Sequence, residues 1–213
     1  MDTLRITEIF HSLQGEGPCV GLPTVFIRLT GCPLRCGYCD TSYAFSGGES
    51  MQIDSILAIT ASYGTGLVTV TGGEPLAQMD CLVLLKRLCD AGFRVSLETS
   101  GARDISAVDK RVMCVMDLKT PASGEMSKNR YENIEHLKSG DQIKFVICDR
   151  QDYNWAKTII LEHELQGVCD ILFSPVYETQ PATELADWIL QDRLPVRLQI
   201  QLHKFLWGEG PGH

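Results

Sequence analysis

The sequence predicts an α/β fold, a partial (β/α)6-type open barrel of parallel strands, on three observations. Apolar, β-branched runs alternate with amphipathic helical stretches along the chain, the pattern of parallel strands joined by crossover helices. About six such units are legible, fewer than the eight units and ~250 residues of a closed barrel. The 213 residues, 44% hydrophobic and 22% charged, hold no internal repeat, low-complexity tract or long Pro/Gly-rich linker, so residues 1–213 read as one soluble globular domain.

Strands are expected at 24–29, 67–71, 94–98, 112–118, 142–147, 171–174 and 196–202, where apolar and β-branched residues concentrate. Helices are expected at 54–63, 76–91, 131–137, 152–166 and 183–192, with Asp54, Asp152 and Thr183 as N-caps and Gly92 closing the second. In that second helix Met79, Leu82, Leu85 and Leu88 recur every third residue, a stripe for packing on a sheet.

Lys and Arg number 19 against 27 Asp and Glu, a formal charge of -8 with no extended basic block, which argues against direct nucleic-acid binding. No run approaches the ~20 apolar residues of a membrane span, and residues 1–10 lack the basic and apolar regions of a signal peptide, so the expected location is the cytoplasm and no membrane partner is expected. Nine cysteines are an odd, scattered set that makes no disulfide framework; those inside apolar runs, such as Cys114 and Cys148, read as buried free thiols. Only Cys32, Cys36 and Cys39 cluster.

Chemistry in parallel α/β folds collects at the carboxyl ends of strands. The first expected strand runs into Thr30-Gly31-Cys32-Pro33-Leu34-Arg35-Cys36-Gly37-Tyr38-Cys39-Asp40-Thr41, a C-x3-C-x2-C loop. No fourth cysteine stands at matching spacing, which disfavours a closed structural zinc site. Three thiolates suit a [4Fe-4S] cube with one iron open to a non-protein ligand. The second expected strand ends in Thr71-Gly72-Gly73-Glu74-Pro75, where glycines allow close backbone approach and Glu74 offers an anion to an ammonium.

With Tyr38 as the aromatic before the last cysteine, the loop and the Gly-Gly-Glu turn together resemble the radical S-adenosylmethionine (SAM) enzymes, so that the barrel would be a radical SAM core. Phe10-His11-Ser12-Leu13-Gln14-Gly15-Glu16-Gly17, Arg28, Cys39-Asp40-Thr41 and His203-Lys204 narrow the resemblance to the 7-carboxy-7-deazaguanine synthase family, over nearly the whole chain. That resemblance implies a homodimeric lyase that turns 6-carboxy-5,6,7,8-tetrahydropterin into 7-carboxy-7-deazaguanine with loss of ammonia, a step toward queuosine. The implied cofactors are a [4Fe-4S] cluster on Cys32, Cys36 and Cys39, SAM, and Mg2+ on Thr41, with a one-electron donor such as flavodoxin or ferredoxin. SAM would be held by Tyr38, Asp40, Gly73, Glu74, Ser100, Lys119, Thr120, Pro121, Ser174, Pro175, Val176 and Tyr177. The pterin, a flat heterocycle with a carboxylate, would meet Leu13, Gln14, Gly15, Glu16, Arg28, Thr71 and His203. Arg28 would grip the carboxylate with two prongs, and Glu16 would accept from the amine and ring N–H.

Two other classes share parts of this pattern. A glycyl-radical-enzyme activase has the cluster and SAM loops but no need of the Gln14, Glu16 and Arg28 set. A plain iron-sulfur electron carrier ligates its cluster with four thiolates. The nine residues after Lys204 are expected to dock through Phe205, Leu206 or Trp207 and fold back over the pterin through the glycines of Gly208 to His213.

Overall fold

The computed structural model describes residues 2–208 and 212. Among them a nine-stranded sheet runs in the order β3-β1-β2-β4-β5-β6-β7-β8-β9. The strands are β1 (Thr3–Leu13), β2 (Pro23–Leu29), β3 (Glu49–Gln52), β4 (Leu67–Gly72), β5 (Arg94–Thr99), β6 (Met113–Asp117), β7 (Gln142–Ile147), β8 (Asp170–Pro175) and β9 (Arg197–Leu198). From β2 to β9 every neighbouring pair is parallel, as the alternating pattern requires. The α-helices are α1 (Ile53–Ser62), α2 (Cys81–Asp90), α3 (Arg150–Glu162), α4 (Ala182–Asp192) and α5 (Leu202–Trp207).

Successive strand residues face opposite sides, and here the two faces have different chemistry. Val25, Ile27 and Leu29 of β2, Val68 and Val70 of β4, and Ile143, Phe145 and Ile147 of β7 are fully buried in one apolar cluster with Ile56 of α1, Leu84 and Leu88 of α2, Tyr153 of α3 and Leu185 of α4. Each such side chain contributes about 1.5–3 kcal/mol of transfer free energy. The intervening residues, Arg28, Thr71, Glu98, Asp117, Lys144 and Ser174, line a cavity on the other face. Burial of one face thus forces a row of polar groups to share the other.

Several elements depart from the sequence pattern. The expected all-parallel sheet carries two antiparallel additions, β1 against β2 and β3 against β1. The alternation of β1 breaks at a register shift between Ile6 and Glu8, which hides its period. The expected helix at 76–91 is shortened to α2, because the Gln78 side chain donates to the carbonyls of Arg5 and Thr30 at 3.0 and 2.9 Å and accepts from the Arg5 N–H at 2.8 Å. Met79 therefore stands outside the stripe and is 74% exposed, while Leu85 and Leu88 are buried. The stretch at 131–137 is a 3-10 turn, Tyr131–His136. The expected strand at 196–202 pairs only at Arg197–Leu198, and its end becomes α5 as the Leu202 N–H turns to the Gly15 carbonyl at 3.1 Å.

None of the three expected N-caps holds. Gln52, Asp149 and Pro181 precede α1, α3 and α4, and Asp149 accepts from the Asp152 N–H at 2.9 Å. Asp152 instead ties strand ends together: its buried carboxylate accepts from the Thr120 hydroxyl and from the Ala122 and Cys148 N–H groups, each at 3.0 Å. Asp152→Ala takes this acceptor from the Ala122 and Cys148 N–H groups and leaves the Thr120 hydroxyl with the Val146 carbonyl alone, and chemical denaturation of the cluster-free protein should show a loss of about 2 kcal/mol or more. A loss under about 1 kcal/mol would mean that other groups satisfy those donors.

Candidate active site

The C-x3-C-x2-C loop leaves the end of β2 and is fixed from several sides. The Gly31 N–H donates to the Ala44 carbonyl at 2.7 Å, the Gly31 carbonyl accepts from the Glu74 N–H at 2.8 Å, and the Gly37 N–H donates to the Ser123 carbonyl at 3.1 Å. Arg35 donates to the Cys32 and Leu34 carbonyls, both at 2.7 Å, while its guanidinium lies 4.3 Å from the Phe45 ring centroid. Gly73 is required where β4 meets the loop, because a Cβ there would fall 2.3 Å from the Gly31 carbonyl oxygen and 2.7 Å from the Cys32 Cβ.

Cys32, Cys36 and Cys39 line one cavity of about 230 Å³, and burial pushes the Cys32 and Cys36 thiols up. Among the described residues no three His, Cys, Asp or Glu side chains converge closely enough to chelate a single metal ion. Three thiols spaced around a common hollow fit a four-iron cube, in which each iron takes one thiolate and the fourth is left for another ligand. The same wall holds the buried Asp117 Oδ1, which has no protein partner in the structure and can accept from a bound polar group.

Most residues singled out in the sequence come together here. Leu13, Gln14, Gly15, Glu16, Arg28, Thr71 and His203 line the cavity with Tyr38, Asp40, Thr41, Gly73, Ser100, Lys119, Ser174, Pro175, Val176 and Tyr177. Glu74, Thr120 and Pro121 lie outside its wall. The Glu74 carboxylate is fully buried and, instead of facing the cavity, accepts from the Thr99 hydroxyl, the Ser100 N–H and hydroxyl, and the Leu76 N–H. It thereby clamps the ends of β4 and β5 together. Thr120, equally buried, spends its hydroxyl on Asp152 and the Val146 carbonyl. The Thr41 hydroxyl donates to Asp40 at 2.9 Å.

Polar groups in the wall form linked pairs. Lys144 contacts Glu16 at 2.7 Å and Asp117 at 3.9 Å, and Lys119 contacts Asp117 at 2.9 Å. The Gln201 amide donates to the other Glu16 oxygen at 2.8 Å. Burial works to raise the Glu16 carboxyl, but Lys144, Gln201 and His203 outweigh it and hold it below the usual range. Glu98 goes the other way, pushed up by burial and by the charge of Glu16 while it accepts from the Thr71 hydroxyl at 3.1 Å. Arg28 gives its Nε to Glu8 at 2.7 Å, and Tyr43 donates to the same Glu8 oxygen at 2.8 Å.

Glu98, Asp117 and Lys144 were not anticipated, although each is a charge at a cavity-facing position of its strand: Asp117 ends the otherwise apolar β6, and Lys144 is the one charge of β7. Glu8 sits on the unrecognised β1, and Gln201 on the stretch expected to be strand.

The site closes with the first and last described segments. Lys204 meets Asp40 at 2.9 Å and lies 5.5 Å from the Tyr177 ring centroid. Burial would raise the Asp40 carboxyl, yet Lys204 and the Thr41 hydroxyl bring it to about 2. His203 crowds Gly15 so closely that an added Cβ would sit 2.1 Å from its Nδ1, and burial pushes its imidazole down. The C-terminal segment thus docks through Gln201, His203 and Lys204, while Phe205, one of the three apolar residues expected to dock, is 76% exposed. The expected fold-back through residues 208–213 falls largely on Glu209, Gly210, Pro211 and His213, which lie outside the described residues.

Comparison with known proteins agrees with this geometry. Residues 26–113 match the model of the radical SAM superfamily. The chain is 44% identical to a 7-carboxy-7-deazaguanine synthase of Koribacter versatilis, covering 96% of this chain and 97% of that one. It is also 44% identical to one of Chlorobaculum tepidum, covering 96% and 94%. Its fold is similar to a crystal structure of QueE from Escherichia coli, with a TM-score of 0.77 and 24% identity over 94% of this chain and 95% of that one.

Proposed function

Because the chain belongs to the 7-carboxy-7-deazaguanine synthases of the radical SAM superfamily, we propose that its cavity binds 6-carboxy-5,6,7,8-tetrahydropterin beside SAM and contracts the ring to 7-carboxy-7-deazaguanine with loss of ammonia, toward queuosine. The observation that carries this reading is one cavity lined both by the three loop cysteines and by Gln14, Glu16, Arg28 and Thr71. An activase or an electron carrier has no use for that second set.

Cys32, Cys36 and Cys39 would hold the [4Fe-4S] cluster in the cavity that would also take SAM and the pterin. When bound, the reduced cluster supplies the electron that cleaves SAM to the radical that takes hydrogen from the pterin. The protein's part is to orient one C–H bond and keep water away. Tyr38, Asp40, Gly73, Ser100, Lys119 and the 174–177 turn would position SAM. Glu74, facing protein donors, would act by shaping the Ser100 end of that site. Glu16 would accept from the pterin amine and ring N–H, and Gln14, Gly15, Thr71 and His203 would complete the fit. Mg2+ would bind at Thr41 with substrate oxygens and water filling its octahedron, since one hydroxyl is a poor magnesium site. A flavodoxin or ferredoxin as donor, a homodimer, one domain over residues 1–213 and a cytoplasmic location complete the reading. Among the described residues no helix is long and apolar enough to cross a membrane.

Anaerobic turnover of the carboxy-pterin by reconstituted protein with SAM, reductant and Mg2+ tests this. Formation of deazaguanine carboxylate and ammonia is expected; SAM cleavage without pterin consumption would overturn it. Since Glu8 occupies the Arg28 Nε, the terminal nitrogens would grip the substrate carboxylate, and a lysine cannot serve both. Arg28→Lys should lower kcat/KM by about tenfold or more with SAM affinity unchanged. An unchanged kcat/KM would place Arg28 outside the reaction.

A further inference from the structure

The cavity wall carries several carboxylates, among them Glu16 and the neighbouring Glu98, and among the described residues the cation in ion-pair contact with Glu16 is Lys144 of β7. Lys144 is 128 residues from Glu16 in sequence, and its side chain is 13% exposed. Taking such a lysine out of water is costly unless a partner and a purpose hold it there. We propose that Lys144 is a positioning residue for the reaction, fixing Glu16 as an ionised, oriented acceptor for the pterin amine and ring N–H. The inference rests on the pterin reading above.

The geometry supports it from both sides of the carboxylate. Lys144 Nζ holds Oε2 at 2.7 Å while Gln201 Nε2 holds Oε1 at 2.8 Å, so the plane of Glu16 is set before substrate arrives. The Glu16 N–H is in turn bound to the Gln14 side chain at 3.2 Å, and Gln14 to Thr69 at 2.9 Å. The charged and titratable groups around Glu16 are Lys144 of β7, Asp117 of β6 and Lys119 just beyond it, Glu98 of β5, Arg28 of β2 and His203 of α5. Of these, Lys144 is the largest influence drawing the Glu16 carboxyl down against burial. Without that cation, burial and the nearby Glu98 would favour a protonated Glu16. A protonated carboxyl presents one donor face where the substrate needs two acceptors.

The test compares wild type with Lys144→Met and Lys144→Arg, each cluster-loaded and SAM-bound. Anaerobic carboxy-pterin binding and the split of KM from kcat are followed between about pH 6 and 8.5, across the range a released buried carboxyl reaches. Wild type and Lys144→Arg should show no Glu16 titration there. In Lys144→Met, affinity should fall as pH drops, about tenfold per pH unit below the risen Glu16 pKa, through KM more than kcat. If Lys144→Met does not fold, Lys144→Gln is made alone and in a Glu16→Gln background, where it should add nothing to the Glu16→Gln loss. Affinity in Lys144→Met within about twofold of wild type at every pH, or an equal, pH-independent loss in Met and Arg variants, would overturn the proposal. Wild type that does not bind the pterin at all would instead overturn the substrate reading, and the inference with it.

Discussion

Cys32→Ala, Cys36→Ala and Cys39→Ala should each abolish both the iron–sulfur cluster and turnover. The three thiols sit on one loop around one hollow, and a cube that has only three protein ligands has none to spare. The other cysteines provide the control. Cys81, the first residue of α2, is fully buried, and Cys169 packs against the apolar cluster with its thiol pushed up to about 12 by burial. Cys81→Ala and Cys169→Ala should therefore keep full iron and sulfide content, at a stability cost of roughly 1 kcal/mol for the small volume lost. Iron and sulfide analysis with the visible absorption spectrum reads this directly. Equal iron loss in Cys81→Ala would sink the ligand assignment.

Gly73→Ala should be nearly as damaging, although it removes no ligand. The added methyl would meet the Gly31 carbonyl and the Cys32 Cβ, and its nearest neighbours are backbone atoms that no side-chain rotation can clear. The two strand ends must separate, which also strains the Glu74 N–H bond to the Gly31 carbonyl. Overpacking of this kind costs about 1–3 kcal/mol. The larger effect is on chemistry, since a shifted Cys32 misplaces one corner of the cluster: cluster content should fall severely and SAM affinity with it. Gly64→Ala, at a position where a Cβ meets no atom, serves as the comparison, losing some stability because its φ is +70° but no cluster. Full iron content in Gly73→Ala would show that the loop tolerates the displacement.

The parallel body was legible because its strands are buried on one face and joined by crossovers. Six of the seven expected strands form within about two residues of their predicted ends. Strand β1 was not, since Thr7, Glu8 and His11 and the register shift near Ile6 mask its alternation. The helix at 76–91 misled because its local preference is overruled by Gln78, which bonds to residues far away in sequence. In the site, the cysteines, Gln14, Glu16, Arg28 and Thr71 were legible through motif resemblance. The charges that set their electrostatics were not. Lys144 and Asp117 read as ordinary strand residues until the sheet fixes which face they share, and Glu74 carries a motif whose carboxylate turns inward.

The hydrogen bond from Gln201 to Glu16 joins positions 185 residues apart. A ribosome must therefore deliver residue 201 before Glu16 has its second partner, and His203 and Lys204 before Gly15 and Asp40 are covered. Contacts of such long range form late, after the sheet has repaid the entropy of bringing them together. The wall beside Asp40 is therefore completed by the last helix of the described chain, through Lys204.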